Sequence, residues 1–425
     1  MKAACRKNLR SDEKNGAAAF RLPRSLQKKK EGEAVQKESQ RSRSAQKAKE
    51  TERTEPADRY GGWVADEANR LKGLAQALLL WYDRSARVLP WRSDPTPYRV
   101  LVSELMLQQT RVEAVIEAFT RFVTELPDFA ALAAADEQTV LKLWQGLGYY
   151  SRAKNLHRAA RAVAEIYGGE LPADYAALRT LPGIGDYTAG AVASIAFGLP
   201  HAAVDGNVLR VLARLCCDRG EVSSPAARKK AAALVEALMP KTRCGAFTQA
   251  LMELGATVCR PTGRPLCESC PVRALCLAEK AGCQQELPVK RPAKPRRVER
   301  KTVLLLFCGG RLALQKRGDR GLLAGLYEPL TLEGRRERAE VFAALTALGA
   351  DLEGAAFTPL GEAAHLFTHV EWRMTGWRVE LKTEKGLGDN LVFTTKEERK
   401  SGYPIASAYR AYLERAEEGE EAPAT

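Results

Sequence analysis

At 425 residues, 45% of them hydrophobic, the chain is long enough for two or three domains, each burying its own core. Lys and Arg number 66 against 52 Asp and Glu, a formal charge of +14 that suits a polyanionic partner, yet +8 of it lies in residues 1–60, which hold 17 Lys or Arg against 9 Asp or Glu. Apolar runs such as that around Leu78–Trp81 are far short of the roughly 20 residues that a membrane span needs, so no membrane association is expected.

The start, Met1 to Lys7, lacks the apolar stretch of a signal peptide, and Asp12, Glu13, Glu31 and Glu33 are out of place in a transit peptide. An intracellular protein is expected, cytoplasmic or nucleoid-associated if bacterial. Its ten cysteines then read as metal ligands or free thiols rather than a disulfide framework.

In chain order, residues 1–60 form a polar, low-complexity basic arm that cannot bury enough apolar surface to order itself. Residues 61–283 are predicted all-α. Apolar residues recur at helical spacing, as in Leu71, Leu74, Leu78 and Tyr82, or Val112, Val115, Phe119 and Phe122. Pro90, Pro95, Pro97, Pro127, Gly168-Gly169 and Pro182 mark helix ends. Residues 284–299 read as a Pro- and Lys/Arg-rich linker. Over 300–415 the period changes: Lys301–Cys308, Gly309-Gly310 and Arg311–Lys316 form a hairpin, Ala339–Leu348 a helix and Arg373–Leu381 a strand, giving an α+β domain before a tail at 416–425.

Within the helical block, Glu104 has Val100, Leu101, Leu107 and Gln108 three and four positions away. A carboxylate on such a face is desolvated, which favours its neutral form and suits a general acid; the competing reading is a solvated or Arg-paired side chain. Next, Leu181-Pro182-Gly183-Ile184-Gly185-Asp186 places two glycines around one apolar residue between helices. The backbone N–H groups of Gly183, Ile184 and Gly185 are then free to bind a DNA phosphate, although ordinary helix–helix turns look similar. Asp205, in Val204-Asp205-Gly206-Asn207, reads as a helix N-cap, and becomes catalytic if its second oxygen faces a cleft.

Four cysteines follow, with gaps of seven, two and five residues: Cys259, Cys267, Cys270 and Cys276. Four thiolates this close can surround one metal centre. Structural zinc usually draws on two CxxC pairs and only one is present, whereas an iron–sulfur cluster accepts uneven spacing; both remain open from spacing alone. Cys5, Cys216, Cys217, Cys244, Cys283 and Cys308 read as small packing residues.

Taken together, an acid-bearing helix, Gly146-Leu147-Gly148-Tyr149-Tyr150, Leu181–Gly185, Val204–Asn207 and the four cysteines resemble the helix–hairpin–helix DNA glycosylases with an iron–sulfur cluster. Leu89-Pro90-Trp91-Arg92 and Thr96-Pro97-Tyr98 extend the resemblance, which is to the adenine-specific, MutY-type branch and covers about residues 63–415. It implies a two-lobed helical glycosylase, a [4Fe–4S] cluster on Cys259, Cys267, Cys270 and Cys276, and a monomer acting on double-stranded DNA that contains adenine:8-oxoguanine or adenine:guanine mispairs. The first cysteine gap is seven residues where the family has six.

By the same resemblance, Glu104 protonates adenine N7, and Asp205 stabilises the oxocarbenium-like sugar by its field or by a covalent adduct. Tyr187 and Asn207 support this pair, and Arg92 lies near the extruded adenine. Leu107, Gln109, Thr110 and Tyr149 match positions that fill or wedge the duplex. Bifunctional relatives of the endonuclease III type carry a nucleophilic lysine where Tyr187 stands, so no Schiff base and no coupled strand cleavage are expected.

The C-terminal segments Gly321–Glu328 and His365–His369 resemble the Nudix-like domain of these glycosylases, with Phe367, Thr368 and His369 forming the loop that recognises 8-oxoguanine. Ser is more usual where Thr368 stands; the hydroxyl is kept. A pyrophosphatase would need several Glu on a helix to hold magnesium, and the segment 339–348 has one, Glu340. The competing functions are an endonuclease III-like pyrimidine glycosylase with lyase activity and a non-catalytic lesion binder.

Overall fold

Local chemistry fixes where the helices begin. In the computed structural model, which describes residues 60–292, 294–388 and 390–418, Thr96 caps the helix Pro97–Leu107 by accepting from the Arg99 N–H, and Pro97 opens it with a preset φ. Asp128, Asp136, Asp174, Asp205 and Ser224 cap five other helices in the same way. Apart from Tyr60, the arm expected over 1–60 lies outside the described residues. As predicted, the block from Gly61 to Lys280 is helical, with two 3₁₀ turns among the four spaced cysteines. Among the described residues no helix is long and apolar enough to cross a membrane.

Two separate cores divide this block. One gathers Trp91, Leu101, Phe119, Phe122, Trp144, Leu156 and Val192. The other joins Leu71, Leu74 and Leu78 to Val208, Leu212, Phe247, Leu251 and Val272, so the first helices pack against the segment that carries the cysteines. The Pro97–Leu107 helix belongs to the first lobe and Asp205 opens a helix of the second. A site built from both lies where the lobes meet.

The C-terminal sheet has seven strands, with order β3 (Tyr327–Glu328), β2 (Arg311–Lys316), β1 (Arg297–Cys308), β6 (Val370–Leu381), β5 (Ala356–Leu366); β4 (Leu330–Glu333) pairs with β1 and β7 (Leu391–Thr394) with β2. The expected hairpin forms through Phe307 opposite Leu312 and Cys308 opposite Arg311. Strand β1 begins inside the stretch expected as linker, because Arg297 to Arg300 pair in parallel with Val370 to Arg373. The last helix, Arg410–Glu418, likewise runs past the boundary expected at 415, and residues 419–425 lie outside the description.

The two faces of the sheet do different things. Leu304, Leu306 and Val379 pack with Val341 and Leu345 of the helix Arg338–Ala347. Val303, Leu305, Phe307, Trp372, Tyr409 and Tyr412 join the core of the first helical lobe. The helical block and the sheet were expected as separate domains across a linker; they share one continuous apolar core.

Candidate active site

Every residue of the Pro97–Leu107 helix from Val100 to Met106 is buried, and Glu104 among them is 6% exposed. Burial pushes its carboxyl up to about 7. The Tyr187 hydroxyl, donating to Oε2 at 2.5 Å, pulls the other way; the Asp205 charge pushes further up, and Arg92 opposes it. The solvated alternative for Glu104 is therefore set aside. The phenol of Tyr187 is held well above its ordinary range by burial and by both carboxylates, so it remains a donor.

Asp205 caps the helix Gly206–Leu215. One oxygen accepts from the Val208 N–H at 2.7 Å and the other from the Asn207 amide at 2.8 Å, while the side chain stays partly exposed. Burial raises its pKa, but those two donors and Arg210 counteract this. Glu104 has one hydrogen-bond donor, Tyr187, where Asp205 has two. The helix Cys244–Thr257 braces this turn: a Cβ on Gly255 would sit 2.6 Å from Asn207 Cβ, so the two helices approach this closely only over a glycine.

Arg92 donates to Glu253 at 2.8 Å and to the Arg87 carbonyl at 3.1 Å, and lies over the Tyr82 ring. Its buried Nε has no partner among the described residues. Together with its electrostatic effect on Glu104, this places an available donor beside the acid.

Leu181–Gly185 joins the helices Tyr175–Thr180 and Asp186–Phe197. Ile184 is buried while Gly183 and Gly185 are exposed, which turns the backbone of the loop outward. Gly183 has φ 77°, a left-handed conformation that favours glycine. No side chain caps the second helix, so its first N–H groups remain open to an anion, and Asp186 there is paired with Arg179.

A second cluster lies around the turn that ends the Glu104 helix. Leu107 is half-buried; Gln109 and Tyr149 are exposed and both take positive φ, 57° and 46°. The turn Phe367-Thr368-His369 is closed by the Phe367 N–H donating to Val370 O at 2.8 Å, and Phe367 packs against Trp372. Thr368 and His369 are exposed. The Tyr149 and Thr368 hydroxyls are hydrogen-bonded at 2.6 Å, joining a residue expected to fill or wedge the duplex to the loop expected to recognise 8-oxoguanine. Thr110 accepts from Arg152 at 3.1 Å.

The four spaced cysteines and Arg214 line one pocket. The Leu266 N–H donates to Val258 O at 3.0 Å, pinching the seven-residue gap so that Cys259 and Cys267 line the same pocket despite its length. Burial pushes Cys270 up to about 12 and also raises Cys276 and Cys267, with the neighbouring thiols adding to each. Arg214 donates to Cys259 Sγ at 3.2 Å. Among the described residues no three Cys, His, Asp or Glu side chains converge closely enough to hold a single metal ion.

A family model described as HhH-GPD superfamily base excision DNA repair protein matches residues 102–237, and a NUDIX domain model matches 302–415. The chain is 37% identical over 353 residues to an adenine DNA glycosylase of Homo sapiens, covering 69% of this chain and 64% of that one. Against the adenine DNA glycosylase of Rattus norvegicus it is 38% identical over 350 residues, covering 69% and 68%. The chain belongs to the adenine DNA glycosylase family. It spans about two thirds of the length of these curated relatives. A solved thermostable thymine-DNA glycosylase is similar at 30% identity and TM-score 0.46, over 50% of this chain and 98% of that one.

Three residues of this adenine DNA glycosylase family member escaped the sequence reading. Glu253, 1% exposed, binds both Arg87 and Arg92, so its carboxyl is held low by the two guanidinium groups against the effect of burial. Arg152 donates to the carbonyls of Leu105, Met106, Gln108, Leu147 and Gly148, knitting the Gln109 turn to the Tyr149 loop. Arg210 donates to Asn207, Gly255 O and Cys259 O, each at 2.8 Å, and so links Asp205 to the first of the four cysteines. The only signal in the sequence was charge inside an apolar helical pattern, which names no partner.

Proposed function

We propose that this chain hydrolyses the N-glycosidic bond of adenine paired with 8-oxoguanine or guanine in duplex DNA, without cutting the strand. The observation that carries the proposal is the buried Glu104, hydrogen-bonded by the partly buried Tyr187 and within electrostatic reach of a partly open Asp205. Glu104, titrating near 7, gives its proton to adenine N7, so the C1′–N9 electron pair leaves on a neutral base. The Asp205 anion stabilises the cationic sugar, by its field or by a transient bond to C1′, and water completes the hydrolysis. The base must first leave the stack, since the glycosidic bond is shielded within it. Tyr187 offers no amine for a Schiff base, so β-elimination does not follow.

Recognition of the opposite base is assigned to the patch around Gln109, Tyr149 and Thr368, supported by the hydroxyl contact that brings the glycosylase loop and the C-terminal turn together. The C-terminal domain reads as a recognition module. Its helix carries Glu340, and that carboxylate is committed to the Glu337 N–H and Arg336.

For the cysteines a [4Fe–4S] cluster fits better than zinc. The four cysteines line one pocket, and their uneven spacing with a single CxxC pair suits a cluster better than a tetrahedral zinc site. Bound there, the cluster would supply iron–thiolate bonds that fasten this loop; Arg214 and Arg210 hold Cys259 against the helix opened by Asp205.

An excision assay on adenine:8-oxoguanine, adenine:guanine and thymine-glycol duplexes, with and without alkali, tests the reading. Adenine release with alkali-dependent strand breakage is expected. Release of thymine glycol with breakage in the absence of alkali would replace it with the pyrimidine glycosylase/lyase alternative.

A further inference from the structure

Cys217 and Cys283 belong to neither the four-cysteine pocket nor the acid–base site, yet their Sγ atoms lie 3.3 Å apart. The sequence suggested only packing roles for them. Cys217 follows the end of the helix Gly206–Leu215, and Cys283 follows the helix Leu277–Lys280, so all four spaced cysteines fall between them in sequence. Cys217 is partly exposed and takes φ 51°, while Cys283 is 4% exposed.

Contacts on both sides of Cys217 tie its segment to the one that follows Cys283. Arg214 donates to Leu287 O at 3.0 Å. Farther along, Arg219 pairs with Glu286 at 2.9 Å and the Val222 N–H donates to Val289 O at 3.1 Å. Residues 214–222 and 283–289 therefore form a clamped seam, with Cys217 between its contacts and Cys283 at its start. Two thiols held this way need little rearrangement to become a disulfide, and their unequal exposure assigns distinct roles.

We propose that Cys217 and Cys283 form a reversible dithiol–disulfide pair that closes the cysteine-bearing subdomain onto the end of the helix opened by Asp205. A small-molecule disulfide such as oxidised glutathione is the oxidant. The Cys217 thiolate attacks one of its sulfurs and expels one reduced thiol, leaving a mixed disulfide. Cys283, losing its proton, then attacks Cys217 Sγ and expels the second. The net reaction joins two protein sulfurs, reduces one disulfide to two thiols and transfers two protons.

The test is to equilibrate the full-length holoprotein with glutathione buffers of stepped ratio, block free thiols, and map the peptides by mass spectrometry. A linked Cys217–Cys283 peptide is expected, about 2 Da lighter than the sum of its reduced parts and returning to thiols under reductant. The variants are asymmetric. Cys283→Ser should stop at a glutathione adduct on Cys217, whereas Cys217→Ser should leave Cys283 largely unmodified because it is buried. Serine is close in size, and both variants should excise adenine like the parent protein, which shows that they are folded. The proposal is overturned if no 217–283 linkage forms at any ratio, if the linkages that form involve Cys259, Cys267, Cys270 or Cys276 instead, or if the adduct pattern of the two variants is reversed. Failure of adenine excision in the parent protein would refute the proposed function without touching this result.

Discussion

A carboxylic acid donates a proton usefully near neutrality only if its surroundings disfavour the anion, and Glu104 meets that condition through burial, with the charge of Asp205 adding to it. The neighbours three and four positions from Glu104 raised desolvation as one of two readings in the sequence, and the burial of Glu104 decides between them. Its contact with Tyr187, 83 residues away, was not, because no spacing rule reaches that far. The sign of that contact yields a prediction. Tyr187 donates to Glu104 and so favours its charged form. Single-turnover excision should hold below pH about 7 and fall as Glu104 loses its proton above it. In Tyr187→Phe the donor is gone, the carboxyl pKa rises, and the alkaline limb should move to higher pH. A limb that stays put or moves to lower pH in the pH–rate profile would contradict the assignment.

Among the elements, regular periodicity was readable and irregular pairing was not. The hairpin around Gly309-Gly310 and the strand ending at Leu381 formed as expected. Strand β5 went unread because it lies at the edge of the sheet, alternates poorly, and carries a register shift between Pro359 and Gly361. Yet β5 leads directly into the Phe367-Thr368-His369 turn and sets where it meets Tyr149. The Thr368 hydroxyl is the polar group that this turn presents there. Thr368→Ala should reduce the preference for 8-oxoguanine over guanine opposite adenine by about five- to tenfold, the worth of one hydrogen bond. Thr368→Ser should preserve it. Competition kinetics on paired duplexes would show this, and equal discrimination by both variants would remove the loop from recognition.

At the scale of the molecule, the shift from helical to strand periodicity near residue 300 marked two folds correctly but concealed how closely they join. Val303, Leu305, Phe307 and Trp372 complete the core that Trp91, Phe119 and Trp144 begin. Periodicity reports which face of an element is apolar, not which partner covers it. A chain ending at residue 296 should therefore melt well below the full chain and bind a hydrophobic dye, as calorimetry and fluorescence would reveal. Unchanged melting of the helical block would mean that the shared core contributes nothing to it.

In the proposed mechanism the capped helix at Asp205 and the close glycine approach at Gly255 support the carboxylate that works with the buried Glu104. The most direct test is single-turnover adenine release from an adenine:8-oxoguanine duplex by Glu104→Gln, with duplex binding measured on the same preparation. The account predicts near-parental binding and base release slowed by at least about a hundredfold, the usual scale of a lost general acid. Release at the parental rate would contradict it.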